Sequence, residues 1–154
     1  GSFEVFRPYN SDARVIGSES LASLEVFSQK LWFQASYDHV RALNKTRNET
    51  LFSRLLPYRP EHSLKAGITA RLGKMQAAAD YRYVGRRYLT EANTQWLPPY
   101  RGLDARLQWQ ADWRRVSISW QAAVFNLLNE KYEILRDMPL PGREWRLGIS
   151  LDYH

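Results

Sequence analysis

The chain has 154 residues, 44% of them hydrophobic and 25% charged, and carries a net charge of +6 at pH 7. That balance suits about one folded domain and excludes a disordered chain. Without cysteine there are no disulfides, thiolate metal sites or thiol nucleophiles, and a mean hydropathy of −0.53 with no run near the ~18 apolar residues of a membrane helix excludes a helical membrane protein, though not a membrane β-barrel.

In chain order, residues 2–7 read as a short strand and 18–28 as a less regular one, joined by a long connection over Pro8–Gly17. After a short turn near Ser28–Lys30, Leu31, Phe33, Ala35 and Tyr37 alternate with Trp32, Gln34, Ser36 and Asp38. Strict alternation of this kind predicts a strand with one apolar and one polar face. A long polar segment over 41–61 leads to Leu64, Ala66, Ile68, Ala70 and Leu72, then a turn at Gly73–Lys74, then Met75, Ala77, Ala79, Tyr81 and Tyr83. A second long segment, 85–100, ends at Pro98-Pro99, which cannot join a ladder and so mark the start of the next strand. Leu103, Ala105, Leu107 and Trp109 follow, then a turn placed at Ala111–Trp113, then Val116, Ile118, Trp120, Ala122 and Val124. The third long segment, Asn126–Gly142, opens on asparagines suited to left-handed turn geometry and closes on Pro139, Pro141 and Gly142. Trp145, Leu147, Ile149, Leu151 and Tyr153 complete the pattern.

The expectation is therefore an all-β, antiparallel fold of about eight long strands, several longer than the usual mode of about 5–6 residues. Short turns alternate with long polar loops, the layout of a transmembrane-type β-barrel. Aromatics fall at the two strand ends: Trp32, Phe33, Trp109, Trp113 and Tyr153 on the short-turn side, Tyr83, Tyr88 and Trp145 on the long-loop side. Bilayer interfaces select such bands. Two alternatives share the pattern: a soluble barrel with its apolar side turned inward around a small ligand, and an autonomous small outer-membrane barrel with a structural role.

Four stretches, in order, resemble the TonB-dependent outer-membrane receptors: "NSDARVIGSESLASLE" (10–25), "LPYRPEHSLKAGI" (56–68), "YRYVGRRYLTEANTQWLPPYRGLDARLQW" (81–109), and "FNLLNEKYE" with "MPLPGREWRLGISLDY" (125–153). The resemblance covers almost the whole chain but only the C-terminal barrel portion of such a receptor. It implies one barrel domain or barrel segment over residues 1–154, without the plug that contacts TonB, and so no transport by this chain alone. It also implies a Gram-negative outer membrane, with lipid and lipopolysaccharide as partners and a C-terminal strand read by the barrel-assembly machinery. The nutrient class implied is a ferric siderophore, cobalamin or similar scarce compound. In that assembly signal the aromatic is usually last, whereas here His154 follows Tyr153, and Gly1-Ser2 has the form left by tag cleavage.

Other chemistry is not expected. The histidines lack metal-ligand spacing, no nucleophile elbow or phosphate loop is present, and no cofactor or catalytic residue is anticipated. Basic strands with aromatics could stack bases, but these aromatics share the apolar face with Leu and Ile, so nucleic acid is not an expected partner. Arg59, Arg86, Arg87, Arg101, Arg136 and Arg143 all fall on the long-loop side, where guanidinium groups suit an anionic ligand or lipopolysaccharide phosphates.

Overall fold

A computed structural model describes residues 12–46 and 51–153, apart from the Trp113 side chain. Seven long strands form one antiparallel sheet: β1 (Ala13–Val26), β2 (Leu31–Asn44), β3 (His62–Leu72), β4 (Met75–Val84), β7 (Tyr100–Trp113), β8 (Val116–Phe125) and β11 (Glu144–Tyr153), in the spatial order β1-β2-β3-β4-β7-β8-β11. Two small hairpins stand on the long connections, β5 (Arg87–Tyr88) with β6 (Trp96–Leu97), and β9 (Glu133–Leu135) with β10 (Met138–Pro139). Each long strand has 10–14 residues, at least the ~9–11 a tilted strand needs to cross a bilayer. The expected strand at 2–7 lies outside the described residues. Among the described residues no helix is long and apolar enough to cross a membrane.

Three boundaries differ from the sequence expectation, and the first is at the end of β2, which takes in residues 41–44, expected in the long polar segment. Residues 13–17, placed in a loop, belong to β1, because Val40 to Asn44 of β2 supply them with ladder partners. The third turn falls at Arg114–Arg115 rather than Ala111–Trp113, since Ala111 and Trp113 keep the alternation and pair with Ile118 and Val116. Positive φ at Gly73, Arg114 and Phe27–Gln29 closes the three short turns, and the long connections all leave the opposite edge.

Facing residues of an antiparallel ladder lie on one face of the sheet, so the register sorts every side chain. One row reads Leu24, Phe33, Ile68, Ala79, Ala105, Val124, Trp145 across all the long strands. The neighbouring row of the other face reads Glu25, Trp32, Thr69, Ala78, Arg106, Ala123, Arg146. The apolar row enters β1 near its short-turn end and leaves β11 near its loop end, the stagger that tilted barrel strands require. The sheet is open: β1 and β11 are its edges.

The buried residues, Ala42, Asn44, Arg87, Leu97, Tyr100, Asn126 and Tyr132, cluster at the loop end. Loops cover the polar face there, while the apolar face is bare, with Leu147 80% and Ile149 78% exposed. A barrel with its oily side turned inward would bury those residues instead.

On the polar face, Arg106 pairs with Asp80 and Arg82 with Asp104, and Ser119 with Ser150 at 2.7 Å. Arg82 lies across Gly102, where an added Cβ would stand 2.6 Å from its Nε. Gly148 has nothing within 4 Å of the same position. Gly102→Ala is therefore expected to displace Arg82 and destabilise the fold by about 1–2 kcal/mol, with faster amide exchange over residues 126–143, whereas Gly148→Ala leaves exchange unchanged.

Candidate functional site

The loop end begins with Tyr100, which opens β7 directly after Pro98-Pro99 and points to the polar face, paired with Val84. Tyr132 stacks on it, with centroids 4.1 Å apart and planes 5° off parallel. Arg87 is only 4% exposed and sits over the Tyr100 ring at 4.9 Å. Its guanidinium donates to the carbonyls of Glu133 (3.0 Å), Pro98 (3.4 Å) and Ile134 (3.4 Å). Nε, which is buried, finds no acceptor, so the ring face below is its remaining favourable contact. Burial lowers the Arg87 pKa from its ordinary value.

Reciprocal hydrogen bonds tie the loops together. Asn93 accepts from the Leu55 amide at 2.8 Å and donates to its carbonyl at 2.7 Å, and the Tyr58 amide donates to the Tyr88 carbonyl at 2.7 Å. These bonds join segment 51–61 to segment 85–99. Asn126, at φ 51°, donates to the Glu130 and Pro141 carbonyls (3.0 and 3.3 Å), so one buried amide holds both ends of the third loop. Its own amide donates to Asp104 at 2.8 Å, anchoring the loop on β7. Asn129, at φ 53°, accepts from the Arg143 amide at 3.0 Å.

The six arginines singled out in the sequence do not converge on one site. Arg87, expected to face a ligand, is turned inward, because in the β5–β6 hairpin it pairs with buried Leu97. Arg136 donates to Gln95 at 2.6 Å and, with Arg87, bridges the second and third loops. Arg143 donates to the Leu127 carbonyl at 3.1 Å. Arg101 stands on the apolar face, paired with Tyr83 and 3.8 Å from Glu130. Arg59 is exposed. Arg86, also exposed, lies over the rings of Tyr88 and Trp96 at 5.3 and 5.7 Å.

The aromatics expected at membrane interfaces divide between the two faces of the sheet. Tyr83 and Trp145 stand on the apolar face near the loop edge, Trp109 and Tyr153 on it toward the turn edge. Trp109 meets Trp120 edge-to-face at 5.8 Å, a partner that sequence reading left unassigned although the two fall in register. Trp113 pairs through its backbone with Val116. Trp32 departs from the set: it lies on the polar face between Glu25 and Thr69, because in its strand the odd residues carry the apolar side.

Charge is sorted as sharply. Within the seven long strands all acidic residues, Glu19, Glu25, Asp38, Asp80, Asp104, Asp112, Glu144 and Asp152, lie on the polar face. The apolar face carries only Arg14, His39, Arg41, His62 and Arg101 among titrating cations, all near the loop ends of their strands. His39 and His62 stack at 4.8 Å, and Tyr37 Oη is 2.8 Å from His62 Nδ1. No group of three or more potential metal ligands occurs among the described residues.

A family model described as "TonB dependent receptor-like, beta-barrel" matches residues 2–127. No curated protein sequence matches the chain. Among solved structures, the chain is similar to the ferric citrate transporter FecA (TM-score 0.81, 16% identity) over 92% of its own length and 24% of that protein's. It is similar to BauA, the ferric preacinetobactin receptor of Acinetobacter baumannii (TM-score 0.82, 14% identity), over 94% and 23%. PiuA, a siderophore receptor of the same organism, gives a TM-score of 0.78 at 19% identity over 94% and 22%. At these identities the likeness is one of fold, and the chain spans about a quarter of those proteins.

Arg87→Ala is expected to leave three carbonyls without their donor and to loosen residues 85–99 and 126–143 by about 2–3 kcal/mol, read as increased amide exchange and proteolysis there. Arg86→Ala, which loses only ring contacts, is expected to leave both loops protected.

Proposed function

Because the chain belongs to the β-barrel family of TonB-dependent receptors, we propose that it forms barrel wall and outward loops of an outer-membrane receptor for a scarce nutrient in a Gram-negative cell. The carrying observation is the sorting of the sheet: a bare apolar face on one side, and on the other a charged, hydrogen-bonded face over which the long loops are packed. A hydrocarbon solvent accepts the first face and excludes every acid placed on the second. Such a segment contributes wall, loops and a terminal strand for the barrel-assembly machinery, and energised import requires TonB acting through a plug elsewhere in a receptor.

Ferric chelates are the cargo class favoured for the whole receptor, since the similar folds include ferric citrate, preacinetobactin and other siderophore receptors. Of the six candidate arginines, Arg59 and Arg86 are exposed and free of salt bridges among the described residues, as is Arg143, whose Nε is engaged by the Leu127 carbonyl, which leaves the first two as the ones most available to an anionic ligand or to lipopolysaccharide. The mechanism is binding and passage, with no bond made or broken by the chain.

Two substitutions at adjacent positions test the assignment in the receptor that carries this segment. Ile149→Arg, on the apolar face, is expected to cost about 2–4 kcal/mol of membrane-inserted stability and to lower assembly into the outer membrane. Ser150→Arg, on the polar face, is expected to assemble as the parent does. Equal effects of the two would contradict a lipid-facing apolar side. Exchange of segments 45–61, 85–99 and 126–143 for those of another siderophore receptor is expected to change which ferric chelate supports TonB-dependent uptake, while assembly is retained.

A further inference from the structure

His39 and His62 are distant in sequence and form no metal motif there, but the β2–β3 register sets them directly opposite each other on the apolar face. The rung they share is of the closer kind. The Val40 amide donates to the Glu61 carbonyl at 2.9 Å, and the His62 carbonyl accepts from the Gly85 amide on its other side at 2.8 Å, so no ladder hydrogen bond crosses the histidine rung itself. Rungs without such bonds hold facing Cα atoms at about 4.5 Å and bring the side chains closest together. The two imidazoles accordingly stack, with centroids 4.8 Å apart and planes 6° from parallel. Ser18 of β1 stands beside His39 in the same row, and Gly85 follows beyond His62. Two of the smallest side chains therefore flank the pair and leave both rings uncovered.

A third side chain orients the pair. Tyr37 Oη lies 2.8 Å from His62 Nδ1. In the tautomer whose Nδ1–H donates to that oxygen, Nε2 carries the free lone pair. A metal-ligating histidine ordinarily has its second nitrogen held in this way, which fixes the ring and the tautomer. Of the charged groups around the pair, Glu61 is held by Arg41 at 3.1 Å, and Arg86 lies over the Tyr88 and Trp96 rings at 5.3 and 5.7 Å. His62 also lines a cleft of about 480 Å³, which gives an ion access and leaves room for water. The chain thus supplies two imidazole ligands and solvent the remainder. Nitrogen ligands without a carboxylate suit Cu²⁺ or Zn²⁺ and not the oxygen-seeking Mg²⁺ or Ca²⁺.

We propose that His39 and His62 form a two-imidazole site for a late first-row divalent cation, Cu²⁺ or Zn²⁺, with Tyr37 as its positioning residue. Binding tilts the stacked rings toward each other until one nitrogen of each stands about 2.0–2.1 Å from a shared ion. The site lies on the apolar face, the opposite side of the sheet from the charged surface over which the loops pack. A bound ion would clasp the start of β3 to β2 at the point where segment 51–61 ends. This inference rests on the strand register and not on the receptor function proposed above.

The test uses the intact receptor chain carrying this segment, stripped of metal by a chelator and titrated with Cu²⁺, Zn²⁺ and Mg²⁺. Cu²⁺ is expected to bind more tightly than Zn²⁺, and Mg²⁺ to compete with neither. His39→Asn and His62→Asn are each expected to weaken Cu²⁺ and Zn²⁺ binding about hundredfold, since a chelate reduced to one ligand loses the gain of intramolecular closure. Tyr37→Phe is expected to weaken binding about tenfold while the paramagnetic resonance spectrum of bound Cu²⁺ still shows two coupled imidazole nitrogens, the mark of a positioning role. Zn²⁺ is expected to slow amide exchange over residues 51–61 in the parent and in neither histidine variant. Metal-free exchange profiles that match the parent's establish that the variants are folded. A His39→Asn or His62→Asn protein that binds both metals as the parent does overturns the proposal, as does a parent whose exchange over 51–61 ignores Zn²⁺. Unaltered affinity in Tyr37→Phe overturns the role given to Tyr37. None of these outcomes depends on whether the receptor transports a ferric chelate.

Discussion

An unbroken antiparallel register holds this structure together, and the rest depends on it. Between neighbouring long strands the pairing runs without a bulge, so the two-residue period of the side chains is never lost from β1 to β11. A single-residue slip would send a whole strand's apolar set to the wrong face. Because no slip occurs, seven strands that are each only half apolar add up to one continuous apolar surface. The backbone groups between the edge strands are satisfied within the ladder, the condition a hydrocarbon solvent imposes on any spanning structure.

The register also explains where the hydrophobic core is not. A soluble sheet buries its apolar face and leaves polar side chains outside. Here the tightly packed residues sit at one end, where Arg87, Tyr100 and Tyr132 lock the second and third loops over the polar face, and Asn93 and Asn126 brace their neighbours. These contacts are polar and aromatic rather than aliphatic. They fix loop conformation over the charged side and contribute little to hiding apolar area. The two ends of the molecule therefore have different tasks: the strands define a wall, and the braced loops present a shaped outer surface.

Much of this was legible in the residues. Alternation located six of the seven described long strands, since period two is a property of the backbone that tertiary context cannot alter. Asn126 and Asn129 were readable as left-handed exit residues because their short amides bond nearby backbone groups, and both have positive φ. Pro98-Pro99 marked the start of β7 for the same kind of local reason. What could not be read depends on partners distant in sequence. Arg86 and Arg87 are identical side chains in adjacent positions, and only the hairpin's pairing sends one outward and buries the other beside Tyr100 and Glu133. Strand position made Trp32 resemble an interface residue, and parity alone places it on the polar face with Glu25. The start of β1 was missed because Gly17 reads as loop, while its partner Val40 pairs it into the ladder.

The central claim is that the two faces of the sheet meet two different solvents. Because this segment has no cysteine, single cysteines can be placed and spin-labelled one at a time at positions 145–153 in a membrane-inserted receptor from which any cysteine elsewhere has been removed. Collision rates with lipid-dissolved oxygen and with a water-soluble relaxant then report the solvent at each position. Labels at 145, 147, 149, 151 and 153 are predicted to be oxygen-accessible and shielded from the aqueous relaxant, and those at 146, 148, 150 and 152 to show the reverse. A profile without that alternation, or one of opposite phase, would contradict the account.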